Sequence, residues 1–512
     1  MAELETIIAL FVIAVILSAV ARRVGAPYPV FLAIGGAALA FVPGTPSLTI
    51  PPELALALFL APVLLDAAYD TSLRDLKYDW AAVTALVVFA VGVTTAAVAF
   101  VAHALVPGMP WAAAVALGAI VAPPDAAVAT AVLRQVTVPR RLVTVLEGES
   151  LLNDASSLLI YRLALGAVAA GGFSLSSVGP TFLVAVVGGV AAGLALGWVF
   201  MHVFPRIQHI PSAIVLQFVT VFSVWIVADR IGLSGVLTMV AFAMTMSRSM
   251  PGRVPARIRL PTNAVWETVV FALNILAFIF VGLQIRPILH NLEAVDRGPY
   301  IRFACAVLGT VIVVRLIWVM SENLLVRLRH RRRGFHPPRP MLRPSAGSGF
   351  VLGWAGMRGI VTLAAAIALP ASFPYRGLIV LSAFSVVLGT MVIQGLTLKP
   401  LLRALKLKDE DPVGGEVNAA RDRALDAALA AIDHDRSPIA DAVRRELTAH
   451  LASNDGEGDN GLEVEHAALH HAAVQAARQA VLRMRSTEEI GDDAFHVVED
   501  DLDWLEMALS GE

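Results

Sequence analysis

The chain is short of charged residues for a protein of its length. Of its 512 residues, 16% are Asp, Glu, Lys or Arg, whereas a soluble domain carries about 25%. Hydrophobic residues make up 57% of the chain, and its mean hydropathy is +0.72. This balance excludes a single soluble core and a disordered chain, so the composition indicates a membrane protein.

Cysteine is almost absent, since Cys305 is the single one. It lies inside an apolar block, so neither a disulfide framework nor a thiolate metal site is available. The sequence also lacks a His-Glu-x-x-His motif, a Ser and His pair within its apolar blocks and a Gly-rich phosphate loop. We therefore expect no cofactor, no enzymatic activity and no nucleic-acid partner.

Acidic residues are scarce in most of the chain and concentrated at its end. Residues 409–512 hold 25 acidic and 8 basic side chains, a net charge of -17, whereas residues 1–408 have a net charge of +15. This division predicts a basic transmembrane domain over 1–408 and an acidic tail over 409–512. Ala- and Arg-rich stretches predict that this small tail is α-helical. We also expect it to be regulatory.

Apolar blocks recur along residues 1–408, and their lengths suit crossing about 30 Å of hydrocarbon as helix. Thirteen such blocks lie near residues 4–21, 29–42, 53–69, 80–106, 111–134, 142–170, 178–204, 211–229, 232–247, 264–286, 300–327, 349–370 and 376–405. The sequence therefore predicts an all-α polytopic membrane protein with about 13 transmembrane helices. Lys and Arg are enriched in every second connection, which predicts an external N-terminus and a cytoplasmic tail.

Two of the predicted spans contain helix-breaking residues. The fifth contains Pro123 and Pro124 followed by Asp125, and the twelfth contains three glycines around Arg358. Paired prolines remove backbone donors and disfavour helix for the residue before them. These spans lie seven apart in order, as expected if spans 1–6 and 8–13 are inverted repeats. Broken helices at matching positions of two repeats indicate a transporter's binding site.

Several carboxylates lie inside the predicted spans, where each needs a partner or a function. In the sixth span Glu147, Ser150 and Asp154 are spaced by three and four residues and share one helix face. Hard oxygen ligands of this kind suit an alkali cation or a proton, and they suit zinc or copper poorly. Glu147 is equally consistent with a structural pair near the span's end.

Arg358 is the only arginine of the twelfth span. Its guanidinium stays charged and therefore needs a buried anion. Glu149, on a different face of the sixth span from Asp154, is the predicted partner. We interpret this pair as a structural ion pair, with contact to the substrate as the alternative.

These residues resemble those of the monovalent cation/proton antiporters, in the branch that holds the NhaP-type exchangers and the animal sodium/proton exchangers. The resemblance covers the membrane domain and not the tail. It rests on four stretches in order: Leu65 to Ala68, Gly118 to Asp125, Leu146 to Ala155 and Gly356 to Leu363.

The resemblance implies roles for particular residues. Asp154 would bind cation and proton in turn, beside Asn153, and Ser150 and Asp66 would contribute oxygens to a monovalent cation. Glu149 and Arg358 match the family's buried ion pair. At the broken-helix site, Pro124 and Asp125 depart from the frequent Thr-Asp-Pro pattern, so a ligand at position 124 would be its main-chain carbonyl. The implied fold is a dimeric bundle with an interface domain and a mobile six-helix core.

The sequence therefore predicts a secondary antiporter in a prokaryotic inner (plasma) membrane that exchanges Na+, or Li+ or K+, for H+. Because Asn153 cannot titrate, we expect electroneutral one-for-one exchange that serves pH and monovalent cation homeostasis. The alternatives are a K+/H+ antiporter of the same fold, a cation channel and an intramembrane enzyme. The absence of repeated carbonyl-rich filter loops and of catalytic motifs disfavours the last two.

Deletion of residues 413–512 should leave insertion and basal exchange intact. The polar linker and the strongly acidic tail are ill suited to packing in lipid, so we expect the tail to tune the response to pH or cation. The measurement is cation-dependent proton flux of the truncated and full-length proteins in proteoliposomes at several pH values. A truncated chain that cannot insert would show that the tail belongs to the membrane core.

Overall fold

The computed structural model describes most of the membrane domain. The described residues are 2–43, 51–133, 136, 138–170, 175–250, 253–290, 297–334 and 345–407, together with 427, 429–432, 437, 438, 440, 441 and 483 of the tail. The chain divides into two compact units, residues 1–410 and 411–512. The predicted helices of the tail lie almost wholly outside the described residues, so the following account concerns the first unit.

Every regular element among the described residues is helical. Apolar surroundings favour this outcome, because a helix satisfies its backbone N–H and C=O groups within one segment. The first half contains α1 (Ala2–Val24), α2 (Tyr28–Leu39), α3 (Pro52–Ala55), α4 (Ala61–Asp70), α5 (Leu73–Tyr78), α6 (Trp80–Thr84), α7 (Val91–Leu105), α8 (Trp111–Val121), α9 (Ala126–Leu133) and α10 (Arg140–Ala170).

The second half begins with a long helix and contains the second broken span. Its helices are α11 (Leu175–Val203), α12 (Ile210–Arg230), α13 (Gly235–Ser249), α14 (Ala256–Leu283), α15 (Ile285–His290), α16 (Arg297–Arg333), α17 (Ala346–Trp354), α18 (Ile360–Ile367), α19 (Arg376–Thr390) and α20 (Leu396–Leu405).

Several short helices are parts of longer ones. π-helical turns at Leu56–Leu60, Ala85–Ala90 and Met391–Gly395 join α3 to α4, α6 to α7 and α19 to α20. A 3-10 turn at Phe204–Arg206 extends α11. Each of these joined segments is therefore one continuous helical rod.

The architecture confirms an all-α polytopic membrane protein. Within the described part of the chain, seven helical segments are long and apolar enough to cross a membrane: Trp80–Leu105, Arg141–Val168, Leu183–Arg206, Ile210–Arg230, Arg257–His290, Gly298–Arg329 and Arg376–Leu405. Shorter apolar helices include α2 and α8. The count of 13 spans stays a prediction.

Both predicted interruptions are present. The first separates α8 from α9 at residues 122–125, where the two prolines lie, and the second separates α17 from α18 at residues 355–359. Each broken span consists of two half-helices separated by a short non-helical segment. The helix ends at this segment expose unpaired backbone groups, which other parts of the structure must satisfy.

The buried apolar side chains form two main clusters. The larger contains residues of α8, α16 and α19 together with parts of α1, α2 and α14. The second lies around α4 and α11 to α14, with Phe204, Phe242 and Met246 among its most buried members. The half-helix α18 contributes side chains to both clusters. The two breaks therefore lie close to the boundary between two packed groups of helices.

Candidate cation and proton site

The two breaks are tied together at Asp125. Its backbone N–H donates to the carbonyl of Met357 over 2.6 Å. A Cβ atom at Gly359 would overlap the Asp125 carboxylate, so only glycine allows this carboxylate to lie against the start of α18. Helix N-termini carry partial positive charge, which a carboxylate neutralises. Asp125 therefore compensates the N-terminus of α18 and also directly precedes α9.

Arg358 compensates the partial negative charge at the C-terminus of α8. It is completely buried, and its Nε and Nη2 donate to the carbonyls of Val121 and Ala122, each over 3.0 Å. Its Nη1 donates to the carbonyl of Gly356, and its backbone N–H donates to Thr390 Oγ1. The last carbonyls of a helix have no intrahelical partner and carry partial negative charge. Arg358 therefore caps a half-helix.

The predicted pairing of Glu149 with Arg358 is wrong. Glu149 instead forms a bidentate pair with Arg315 of α16, with N–O distances of 2.6 and 2.9 Å. Both side chains are at least 97% buried. The physical reason is that the guanidinium of Arg358 already donates to carbonyls at the end of α8. The positive partner of the Glu149 carboxylate therefore comes from another helix, α16.

Arg315 also caps the other broken span. Its Nε donates to the carbonyl of Gly353 and its Nη2 to the carbonyl of Leu352, at the end of α17, with an N–O distance of 3.2 Å in each case. A Cβ at Gly356 would overlap the Arg315 side chain, which explains a glycine there. The sequence signal for this residue was an arginine in the middle of the apolar block 300–327, where a charge demands a partner.

On α10, Asn153 links the candidate cation-binding residue to the first break. Asn153 is fully buried, and its Nδ2 donates to the carbonyl of Pro124 over 2.7 Å. Its Oδ1 has no hydrogen-bond partner among the described residues. Asp154, the next residue, is 8% exposed. The hydrogen bond thus places a buried carboxylate beside the non-helical backbone.

A cavity of about 710 Å³ brings most of the predicted site residues together. Among its lining residues are Asp66 of α4, Pro124 and Asp125 of the first break, and Glu147, Ser150 and Asp154 of α10. The shared face of Glu147, Ser150 and Asp154 therefore points into one space. Asn153, Glu149 and Arg358 do not line the cavity.

The cavity also has lining that the sequence reasoning did not assign. α14 contributes Glu267, which is exposed, and Asn274, while α18 contributes Thr362. Within the part of the chain that is described, no three His, Cys, Asp or Glu side chains are grouped so that they could hold a metal ion. A cation bound here would also draw on hydroxyl and carbonyl oxygens.

Two broken helices that cross beside buried carboxylates are the arrangement typical of secondary transporters. The family model for the transmembrane part of sodium/hydrogen exchangers matches residues 8–404. The chain therefore belongs to the sodium/hydrogen exchanger family, whose members are transporters and not enzymes.

Individual relatives agree with this assignment. An uncharacterised Na+/H+ exchanger of Mycobacterium tuberculosis is 32% identical over 466 residues, covering 88% of this chain and 82% of the relative. The sodium, potassium, lithium and rubidium/H+ antiporter of Bacillus subtilis is 26% identical, covering 89% of this chain and 70% of the relative. The sodium/proton antiporter MjNhaP1 of Methanocaldococcus jannaschii shares the fold, with a TM-score of 0.62 and 18% identity over 80% of this chain and 99% of its own.

The corrected ion pair can be tested by comparing two double-mutant cycles. Glu149→Gln or Arg315→Met alone leaves a buried charge without its partner, so each should lower stability by about 3 to 5 kcal/mol. The double variant should lose clearly less than the sum, with a coupling of about 0.5 to 3 kcal/mol. The measurement is the apparent melting temperature of each purified variant in detergent.

The Glu149 and Arg358 cycle serves as the control. These two side chains form no salt bridge in the structure, because both guanidinium contacts of Glu149 come from Arg315. Their coupling should therefore be smaller. A larger coupling with Arg358 than with Arg315 would contradict the pairing described here.

Proposed function

We propose that the protein exchanges an alkali cation for a proton and that both bind at Asp154. The observation that supports this most strongly is the placement of the Asp154 carboxylate. It is buried, lines the cavity and lies beside the break at Pro124. Asp154 forms no salt bridge with any described residue, in contrast to Glu149.

The proposed mechanism is competition for one carboxylate. A buried carboxylate without a counter-ion is unfavourable, so it must bind a proton or a cation before its surroundings close over it. Asp125 contributes a second negative charge nearby, which increases the need for neutralisation. One carboxylate cannot bind both ions at once. The site therefore switches between the two sides of the membrane only when it has bound either a proton or a cation.

The two packed groups of helices suggest how access alternates. The cavity extends from buried Asp154 to exposed Arg22 and Asp70, and it has walls on α4 and α14 as well as on α10 and α18. Movement of the crossing helices relative to α4 and α14 would close this side. With the orientation predicted from the Lys and Arg pattern, the cavity faces the cytoplasm.

The ion is proposed to be Na+, with Li+ and K+ as further substrates. The name of the Bacillus subtilis relative includes sodium, potassium, lithium and rubidium, which favours a broad alkali specificity and keeps K+/H+ exchange as the alternative. We further propose a homodimer in a prokaryotic plasma membrane, with pH and monovalent cation homeostasis as its role. Regulation would come from the tail at residues 409–512.

Asp154→Asn should abolish exchange while the protein still folds, because the substitution keeps the shape and removes the titratable charge. We expect less than about a tenth of the wild-type flux, the loss that corresponds to about 1.4 kcal/mol. The measurement is cation-driven proton flux in proteoliposomes, with the amount of folded protein determined for each variant. Asp229→Asn is the matched control, since Asp229 lies outside the cavity lining and its pair with Arg162 is exposed.

Competition also fixes the sign of the pH effect on wild-type protein. Lowering the pH raises the protonated fraction of the shared site, so the apparent cation affinity must weaken. Once the proton-bound form dominates, the half-saturating cation concentration should rise about tenfold per pH unit. An affinity that does not change with pH would mean separate sites for the two ions.

One-for-one exchange should be insensitive to membrane potential. Asn153 cannot titrate, so Asp154 alone would release one proton for each cation. Movement of a net charge would instead feel about 2.3 kcal/mol per 100 mV. The measurement is the initial sodium-driven proton flux under potassium/valinomycin potentials of both signs. A rise with one polarity and a fall with the other would refute one-for-one exchange and identify Asp66 as the first residue to mutate.

A further inference from the structure

Thr362 is a buried polar side chain of the cavity that the mechanism above does not use. It lies in the first turn of α18, is 2% exposed and belongs to the lining that includes Asp154 and Ser150. No hydrogen bond of its hydroxyl to any described residue is found. A side-chain hydroxyl that borders a cavity and bonds to no described residue is available to whatever occupies that space.

The break in the twelfth span explains why this hydroxyl has no local acceptor. Three threonines in continuous helical segments, Thr262, Thr310 and Thr397, donate to the carbonyl four residues earlier. For Thr362 that carbonyl belongs to Arg358, which lies in the non-helical segment before α18. The interruption thus leaves a hydroxyl group available to the cavity.

The backbone oxygen that the first break offers beside Asp154 is already engaged. Position 124 is a proline and offers only its carbonyl, which already accepts from Asn153 Nδ2. Ser150 supplies one hydroxyl from α10. A cation that leaves water needs protein oxygens in place of its hydration shell. A hydroxyl from α18 would add an oxygen from a second element of the crossing.

The position of Thr362 fits this purpose. It lies three residues after Gly359, where the Asp125 carboxylate rests, and so within about one helical turn of 5.4 Å of the crossing. α18 and α10 both contribute to the cavity wall.

We propose that the Thr362 hydroxyl is a ligand of the alkali cation bound at Asp154. The inference rests on the proposed function and adds a residue to the same site. The hydroxyl oxygen is a neutral hard ligand, so it coordinates the cation through a lone pair and undergoes no protonation change. Thr362 therefore sets cation affinity and leaves the number of protons exchanged unaltered.

The test compares Thr362→Val, which keeps the shape and removes the hydroxyl, with Thr362→Ser, which keeps the hydroxyl. Cation-dependent proton flux is measured in proteoliposomes with Na+, Li+ and K+ in turn, at a fixed alkaline pH. Thr362→Val should raise the half-saturating concentration at least about fivefold, equivalent to about 1 kcal/mol, and leave the maximal rate within about threefold. Thr362→Ser should stay within about twofold of wild type.

Thr310→Val is the matched control. Its hydroxyl donates to the Ala306 carbonyl within α16, and Thr310 does not line the cavity, so its half-saturating concentration should equal that of wild type. An unchanged value for Thr362→Val would overturn the ligand role of Thr362. So would an equal loss in Thr362→Ser, since that variant retains the oxygen.

A second measurement covers the case in which Thr362→Val does not fold. The cation concentration that raises the melting temperature of purified protein is compared between wild type and Thr362→Ala. The variant should need at least about fivefold more cation, and an equal requirement would overturn the proposal. Failure of the proposed function has a different signature, because wild-type protein would then show no proton flux with any alkali cation.

Discussion

The structure depends on the compensation of helix-end charge where the two broken spans cross. Each break exposes backbone carbonyls and N–H groups in a setting without bulk water, where unsatisfied groups cost several kcal/mol. Arg358 satisfies the carbonyls of α8, Arg315 those of α17, and the Asp125 carboxylate lies at the start of α18. The breaks persist because side chains of opposite charge hold their ends.

This compensation determines the character of the neighbouring carboxylates on α10. Glu149 forms an ion pair with Arg315, and both side chains are buried. The pair therefore links α10, α16 and the end of α17. Asp154 lies on another face, lines the cavity and forms no such pair among the described residues. Two acids only five residues apart on one helix thus differ in function because their partners differ.

Much of this could be predicted from the sequence, and the limits have physical causes. The breaks follow from local chemistry, because paired prolines and clustered glycines disfavour helix wherever they occur. The shared face of Glu147, Ser150 and Asp154 follows from helical periodicity alone. The partner of Glu149 does not follow from local sequence, because it depends on which helix the tertiary structure packs against α10. Thr362 was not predicted either, because a threonine in an apolar run usually donates to the carbonyl four residues earlier. Only the structure shows that this residue, Arg358, lies outside the helix.

The proline pair has a spectroscopic consequence. Pro123 and Pro124 carry no amide proton, so hydrogen exchange gives no signal from these two positions of the first break. The first amide after this gap is that of Asp125, and it donates to Met357 in the other broken span. Protection of this one proton depends on the contact between the two broken spans. Its exchange with deuterium therefore reports directly on how often the crossing opens.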